Sequence, residues 1–224
     1  MIIDHTHPLY REKRRKLING NQFNGAYYYS KEIVKNIIPE LIDKTDRNWV
    51  TIRLKEQPIP DHSIVFIHNN RNPNYYQFLK QYNDLVLVCS LPKTVENMSY
   101  FGKAIYLPLS VDVNYVRKFI CREKTKEMAF AGRIIKISKM YHASVPKECD
   151  ILTDMPQNRL VQEMAKYKKV YCTGRTAIQA KILGCEIGVH DPNFPDPNFW
   201  RVIDNYEASK ILLRKLNEID GKII

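Results

Sequence analysis

The regular alternation of short apolar runs with segments of helical periodicity is the feature that most constrains the fold of this chain. Trp49–Leu54, Ser63–His68 and Leu85–Cys89 are β-branched or leucine-rich runs, and helical patterns at Tyr75–Tyr82 and Thr94–Phe101 lie between or after the later ones. Because parallel strands need long and usually helical connections, this alternation predicts an α/β protein with mainly parallel sheets covered by helices.

The alternation occurs twice along the chain. The first half opens with a strand at Met1–Asp4 and a helix at Ala26–Leu41, and its last strand, Ala104–Leu107, leads into Pro108–Asp112, where proline stops regular pairing. We therefore place a domain junction in this segment, which divides the chain into residues 1–110 and 111–224. The elements predicted for the second half are strands Met128–Ala131, Cys149–Leu152 and Lys168–Cys172 and helices Asn158–Tyr167 and Glu207–Ile219.

The stretch Tyr171–Val189 has the pattern of a strand end, a polar turn, a short amphipathic helix, a glycine stop and a second strand. Thr173 or Gly174 can cap the helix, and Gly184 ends it. A helix that opens beyond the carboxyl end of a strand presents unpaired N–H groups, its dipole favours an anion, and Arg175 adds a cation. The stretch predicts an anion site, with an ordinary βαβ unit and a solvated arginine as the alternative.

A second cationic stretch, Ala131–Lys139, follows another predicted strand. Gly132 allows a tight turn, and Arg133, Lys136 and Lys139 come directly after it. Because the carboxyl ends of parallel strands lie at one edge of a sheet, we expect these cations to lie near the helix of the first stretch. Together the two stretches predict a site for a diphosphate.

The charge of the protein favours an anionic partner. The formal net charge is +11 and the pI is near 9.3, which suits nucleic acid, nucleotide phosphate or an acidic membrane surface. Arg11–Lys16 and Arg117–Lys126 are basic runs, which are more often solvated faces than binding sites. Neither run has the stacked aromatic residues typical of single-strand binders.

Cysteine usage and hydropathy predict a soluble, cytoplasmic protein. The five cysteines are scattered without C-x-x-C spacing, which favours reduced thiols. Charges begin at Arg11, before any long hydrophobic run, and no later segment approaches the length of a membrane span. No transmembrane segment and no secretory leader are therefore expected.

Three segments resemble the GT-B class of nucleotide-sugar glycosyltransferases. Pro108–Asp112 is similar to the inter-domain linker of that class, Gly132–Lys139 to its glycine-arginine…lysine phosphate motif, and Gln179–Gly184 to its glutamate-alanine…glycine donor motif. The resemblance covers most of the chain, in the same order and with similar spacing. It implies two Rossmann-like domains facing across a cleft, with residues 1–110 as the acceptor-side domain and residues 111–224 as the nucleotide-sugar domain.

The resemblance also implies roles for individual residues. Arg133 and Lys139 would contact the donor diphosphate, Gln179 would lie near the ribose hydroxyls, and the loop that ends at Gly25 would close on the phosphates from the other domain. A UDP-sugar is the expected co-substrate, without a tightly bound cofactor or metal. The residues predicted to bind the nucleotide sugar are Gly25, Arg133, Lys136, Lys139, Asp154, Thr173, Gly174, Arg175, Thr176 and Gln179.

Two departures from the class bear on the mechanism. Gln179 stands where many members have glutamate, and Tyr171 stands where retaining families place their first glutamate, which argues against a retaining enzyme with two glutamates. An inverting transfer needs a general base on the acceptor side. His68, at the end of a predicted strand, is the candidate and Asp4 is its rival, while a histidine hydrogen-bonded to a loop is the alternative for His68.

Other histidines allow a metal site as a further alternative. Asp4–His7 places two histidines two residues apart, so that on a strand they point the same way. Such a histidine pair resembles the first strand of metal-dependent hydrolase barrels. The chain is short for an eight-stranded barrel, however, which typically needs about 250 residues. His62, His142 and His190 do not follow later strand ends in a matching pattern, so surface or loop histidines are the expectation.

The leading hypothesis is a compact, inverting and metal-independent glycosyltransferase that moves a sugar from a nucleotide-diphosphate donor to an unidentified acceptor, a saccharide or modified DNA. One rival is a nucleotide or nucleotide-sugar binding module without turnover. The other is a basic nucleic-acid-binding protein. Phage DNA-base glucosyltransferases are compact GT-B-like proteins that act on DNA. A protein of that kind would be both a glycosyltransferase and a nucleic-acid-binding protein.

Overall fold

The computed structural model describes residues 1–3, 25–51, 59–68, 73–132, 145–153 and 155–221. Several of the predicted site residues lie outside these ranges, namely Asp4, Arg133, Lys136, Lys139 and Asp154. The stretch Asp4–His7, weighed as an alternative metal site, and the loop that precedes Gly25 also lie outside them.

The first sheet has five parallel strands that are arranged in the order of the sequence. The strands are β1 Ile2–Ile3, β2 Asn48–Val50, β3 Ser63–Ile67, β4 Leu85–Cys89 and β5 Lys103–Tyr106. Every residue of β3 and β4 is buried, as expected of central parallel strands, which form continuous apolar runs.

The helix predicted at Ala26–Leu41 contains three kinds of helical turn. It begins as helix α1, Gly25–Glu32, widens into a π-helical turn at Ile33–Ile37 and tightens into a 3-10 turn at Ile38–Glu40. Pro39 explains the change, because proline has no N–H to donate to the carbonyl four residues earlier and its ring crowds that carbonyl.

Two further helical segments connect the strands of the first sheet. A 3-10 helix, Pro73–Gln81, lies between β3 and β4, and helix α2, Pro92–Met98, lies between β4 and β5. Their apolar faces contribute Leu79 and Met98 to a core that also contains Val65 and Leu87. The connections from β3 to β4 and from β4 to β5 are therefore helical, as the alternating pattern predicts.

The second sheet has four parallel strands in the order β7-β6-β8-β9. The strands are β6 Lys126–Ala131, β7 Asp150–Leu152, β8 Tyr167–Tyr171 and β9 Glu186–Gly188. The helices of the second half are α3 Val113–Arg117, α4 Gln157–Met164, α5 Arg175–Ile182 and α6 Asn205–Asp220, and a 3-10 turn covers Pro197–Phe199.

Two local predictions in the second half need correction. Tyr167 was expected to end a helix, but it begins β8 opposite Lys126, and its hydroxyl donates to Asp150 at 2.7 Å. Helix α3 was not predicted at all. Its N-cap is Asp112, whose carboxylate accepts from the Tyr115 N–H at 2.8 Å, so the signal was a capping aspartate followed by valines.

The chain forms two compact units. One consists mainly of Ala26–Pro108 together with Asn205–Ile224, and the other mainly of Leu109–Asp204. These units differ from the predicted division between residues 110 and 111 in the assignment of the last helix. Helix α6 packs on the π-helical turn Ile33–Ile37, so it belongs to the first unit although it follows the second in sequence.

The prediction of an α/β protein with parallel sheets is confirmed, and the arrangement of strands and helices is Rossmann-like. Among the described residues, no helix combines the length and the apolar composition needed to cross a lipid bilayer.

Candidate functional site

The candidate site lies at the carboxyl edge of the second sheet, where the direction of the chain reverses. From β6 the chain continues to β7 on one side, and from β8 it continues through α5 to β9 on the other side. In open parallel sheets, ligands bind outside the carboxyl ends of two neighbouring strands at such a switch point. Here these strands are β6 and β8, with Phe130 opposite Tyr171.

This switch point lies where both predicted stretches begin. Gly132 follows β6 directly, and its N–H donates to the carbonyl of Leu152 on β7 at 3.3 Å. Thr173 and Gly174 follow β8 and lead into α5. The backbone therefore brings the start of the Gly132–Lys139 segment and the start of α5 to neighbouring strand ends.

Two glycines allow aromatic rings to cover the backbone at this edge. A Cβ atom on Gly132 would lie 2.8 Å from Cζ of Phe130, and one on Gly188 would lie 2.7 Å from Cε1 of Tyr171. Side chains at these positions would displace the rings. The edge of the sheet is therefore lined by Phe130 and Tyr171 on the strands that flank the switch point.

The N-terminus of α5 has the geometry of an anion site. Gly174 precedes the helix with φ 66° and ψ −141°, a conformation that is nearly restricted to glycine. Its carbonyl accepts from the N–H groups of Ala177 and Ile178, and as a glycine it has no side chain with which to cap the helix. By helix geometry, the amides of the first turn are those without an acceptor inside the helix.

Arg175 is not the solvated arginine of the alternative reading. Its side chain is 9% exposed, and its Nε donates to the carbonyl of Ser110 at 3.3 Å. Thr173 and Thr176 are half-buried at the same helix start. A buried guanidinium thus lies beside the first turn of α5 and fixes it to the Pro108–Asp112 segment.

Gln179 is buried and paired with a residue that was not predicted. Only 3% of its surface is exposed, and its Oε1 accepts from Nε2 of Gln157 at 2.8 Å. Gln157 is the first residue of α4, which follows the end of β7. A glutamine at a helix start gives no distinctive sequence signal, and only the proximity of α4 and α5 reveals the pair.

His190 was expected to be a surface or loop histidine, and it lies in the loop after β9 but not at the surface. It is buried just beyond β9, and its ring lies edge-on to Phe130 with the centroids 5.2 Å apart. Burial lowers the pKa of His190, against the opposing effect of Asp191 and of a backbone hydrogen bond with Gly188. The sequence signal for this position was that it comes directly after a predicted strand end. At neutral pH the side chain is uncharged and lines the site.

The remaining predicted residues that the structure describes are His68 and Gly25. His68 follows β3, and its Nε2 contacts the carbonyl of Thr51 and, at 3.2 Å, Oγ of Ser30. Because a carbonyl only accepts, a hydrogen bond at this contact requires the proton on Nε2. The described strands of this sheet follow sequence order without a reversal. Gly25 is the first residue of α1.

Comparison of the chain with protein-family models, curated proteins and solved structures finds no match. Any function proposed for this protein therefore rests on the geometry of its own residues.

Proposed function

We propose that the second unit binds a nucleotide-diphosphate sugar outside the carboxyl ends of β6 and β8, and that the protein is a glycosyltransferase. The observation that carries this proposal is the coincidence of the switch point with the start of α5, where the N-cap residue is a glycine without a capping side chain. A switch point favours a ligand in general, and a helix N-terminus at that position favours an anionic one.

In this proposal the chain stabilises the leaving diphosphate by fixed positive charge. The first-turn amides of α5 donate to the phosphate oxygens, and the buried Arg175 holds the turn in place through Ser110. Arg133 and Lys139, by the resemblance to the GT-B class, add cations from the segment that follows β6. Preorganised donors of this kind stabilise negative charge as it develops on the leaving group.

The sugar transfer itself is proposed to be inverting and to use a base from the first unit. His68 is the proposed base, with Asp4 as the alternative. In this proposal Nε2 of His68 donates to the Thr51 carbonyl and Nδ1 takes the acceptor proton. The acceptor class stays open between a saccharide and modified DNA.

The test is calorimetric titration of the protein with UDP, UMP and uridine, using two glycine variants. Gly174→Ala forces a non-glycine residue into a positive φ at the proposed anion site and should weaken UDP binding by about tenfold or more, with a smaller effect on uridine. Gly184→Ala is the matched control, because Gly184 also has a positive φ and lies at the other end of α5.

The Gly184→Ala variant should bind UDP as the unmodified protein does. Equal losses for UDP and uridine in Gly174→Ala would contradict the phosphate contact, and so would equal losses in both glycine variants. Arg133→Ala should likewise weaken nucleotide-diphosphate binding far more than nucleoside binding. Release of UDP from UDP-sugars, with and without candidate acceptors, then tests turnover.

A binding module without turnover is the second candidate, and the Gln157–Gln179 pair favours it. The amide oxygen of Gln179 already accepts one hydrogen bond, and a neutral amide is a weaker acceptor for ribose hydroxyls than a carboxylate. Donor that binds and is never consumed, across saccharide and DNA acceptors, would select this candidate over the enzyme.

A further inference from the structure

The second basic run of the sequence consists of five cations, and the structure separates them into two groups. Lys124 points inward, where its Nζ donates to the carbonyls of Ala165 and Leu183 at 2.9 and 2.6 Å. Lys126 forms an ion pair with Asp150 at 3.1 Å. The ammonium groups of these two lysines are therefore hydrogen-bonded or ion-paired within the protein.

The other three cations are presented to solvent. Arg117, Lys118 and Arg122 are exposed, and among the described residues their side chains form neither ion pairs nor hydrogen bonds. By contrast, Lys168 and Lys169 each have a glutamate partner at 2.6 Å. We call the segment Arg117–Arg122, with its three uncompensated cations, the basic turn.

The basic turn has a defined backbone and an apolar tip. The Phe119 N–H donates to Val116 at 3.0 Å, the Ile120 N–H donates to Arg117 at 3.2 Å, and the Phe119 ring packs edge-on against Tyr115 at 5.3 Å. Ile120, between the cations, is 51% exposed. Contact with an apolar partner surface would remove the exposed side chain of Ile120 from water, which is favourable.

The chemistry of the basic turn distinguishes among anionic partners. A nucleic-acid site that contacts bases pairs cations with residues that stack on the bases or hydrogen-bond to them. Here the nearby aromatic rings, Tyr115 and Phe119, pack on each other, and Ile120 can do neither. An anionic bilayer offers phosphate groups for the cations and an apolar interior for the isoleucine, as interfacial segments require.

We propose that the basic turn docks the protein on membranes that contain anionic phospholipid, with Arg117, Lys118 and Arg122 at the headgroups and Ile120 in the acyl boundary. Each cation near an anionic surface strengthens binding by about fivefold, so the three together supply about 100-fold. Binding of this strength is reversible and falls with ionic strength, because salt screens the headgroup charge.

The test is co-sedimentation of the whole protein with phosphatidylcholine vesicles, with or without phosphatidylserine, at low and physiological salt. Substitution of the three cations of the basic turn by glutamine should lower partitioning onto the anionic vesicles by about 100-fold. The control variant replaces exposed Lys31, Lys35 and Lys44 by glutamine, which removes the same charge elsewhere, and it should lose less than about fivefold.

A second pair of variants tests the apolar tip. Ile120→Ser should weaken binding to anionic vesicles severalfold, whereas Ile42→Ser, at a residue that is 45% exposed, should leave it unchanged. Equal losses in the two charge variants would overturn the proposal, since net charge would then explain binding. So would absence of vesicle binding, or a basic-turn variant that loses affinity for duplex DNA while its vesicle binding is unchanged.

Discussion

His62 lies between two carboxylates at the amino-terminal edge of the first sheet. Its Nδ1 is 2.5 Å from Asp84 and its Nε2 is 3.1 Å from Asp46, so both ring nitrogens donate and the imidazolium form is favoured. Hydrogen bonds to Asp46 and Asp84 raise the pKa of His62 against desolvation and the charge of Arg47. Burial opposes the shift at Asp84, but hydrogen bonds from His62 and Arg47 lower the pKa of that carboxyl.

A pH-dependent stability follows from this cluster. A raised histidine pKa stabilises the fold below the unfolded value of about 6.5, and this contribution is lost as the pH rises through the folded value. We therefore expect the free energy of unfolding of the protein, relative to that of His62→Asn, to be larger at pH 6 than at pH 8. Asparagine tolerates the positive φ of His62, 54°.

Urea unfolding of both proteins at the two pH values measures this difference. A difference that grows as the pH rises would contradict the assigned imidazolium. Asp84 acts in the opposite direction, because its lowered pKa stabilises the fold above about pH 3.8 and this contribution is lost as the pH falls through the folded value.

At the scale of elements, one lysine joins the ends of two helices. The carbonyls that accept from Nζ of Lys124 belong to Ala165 and Leu183, the C-caps of α4 and α5, and Sγ of Cys185 lies 3.4 Å from the same nitrogen. A cation at helix C-termini satisfies carbonyls that have no partner within the helix and complements both dipoles.

Substitution of Lys124 by methionine should therefore destabilise the second unit. Methionine keeps the length of the side chain but leaves two carbonyls without their charged donor, which should lower the free energy of unfolding by about 2–3 kcal/mol. Lys168→Met is the control, since its ion pair with Glu127 is solvent-exposed and should change stability by less than about 0.5 kcal/mol. Similar losses in the two variants, measured by urea unfolding, would argue against the bridging role.

At the scale of the whole molecule, the chain returns to its first unit to complete it. Leu212 and Leu216 of α6 are buried, and α6 packs on the π-helical turn Ile33–Ile37. Its last residue, Asp220, accepts from Nη2 of the buried Arg47 at 2.6 Å. Loss of this helix would expose apolar surface and leave a guanidinium without one of its carboxylates.

Leu212→Ala should consequently weaken the first unit rather than the second. A truncated core leucine typically costs about 2–5 kcal/mol, and amides of β3 and β4 should exchange hydrogen faster as a result. Amides of β6 and β8 should change less. Arg214→Ala, at an exposed position on the same helix, controls for helix propensity, and faster exchange confined to β6 and β8 would show that α6 stabilises the second unit instead.

Several elements were predictable because their signal is local. The strand Leu85–Cys89 was predicted with its observed bounds, since a buried parallel strand is a continuous apolar run. Gly174 and Gly184 also gave a local signal for the ends of α5, because both positions have a positive φ that favours glycine. Long-range contacts explain the misses: Tyr167 begins a strand because it pairs with Lys126, and His190 is buried because β9 ends beside Phe130.

Local patterns in the amino-acid chain were sufficient for the α/β class and for the two stretches that flank the candidate site, because hydrophobic period, caps and glycine stops act between near neighbours. The three-dimensional arrangement was needed for strand order, for the unit that contains α6 and for the pairing of Gln157 with Gln179. These depend on which surfaces meet after the chain collapses. The reversal between β6 and β8, which makes their carboxyl ends the candidate binding edge, is a property of that arrangement alone.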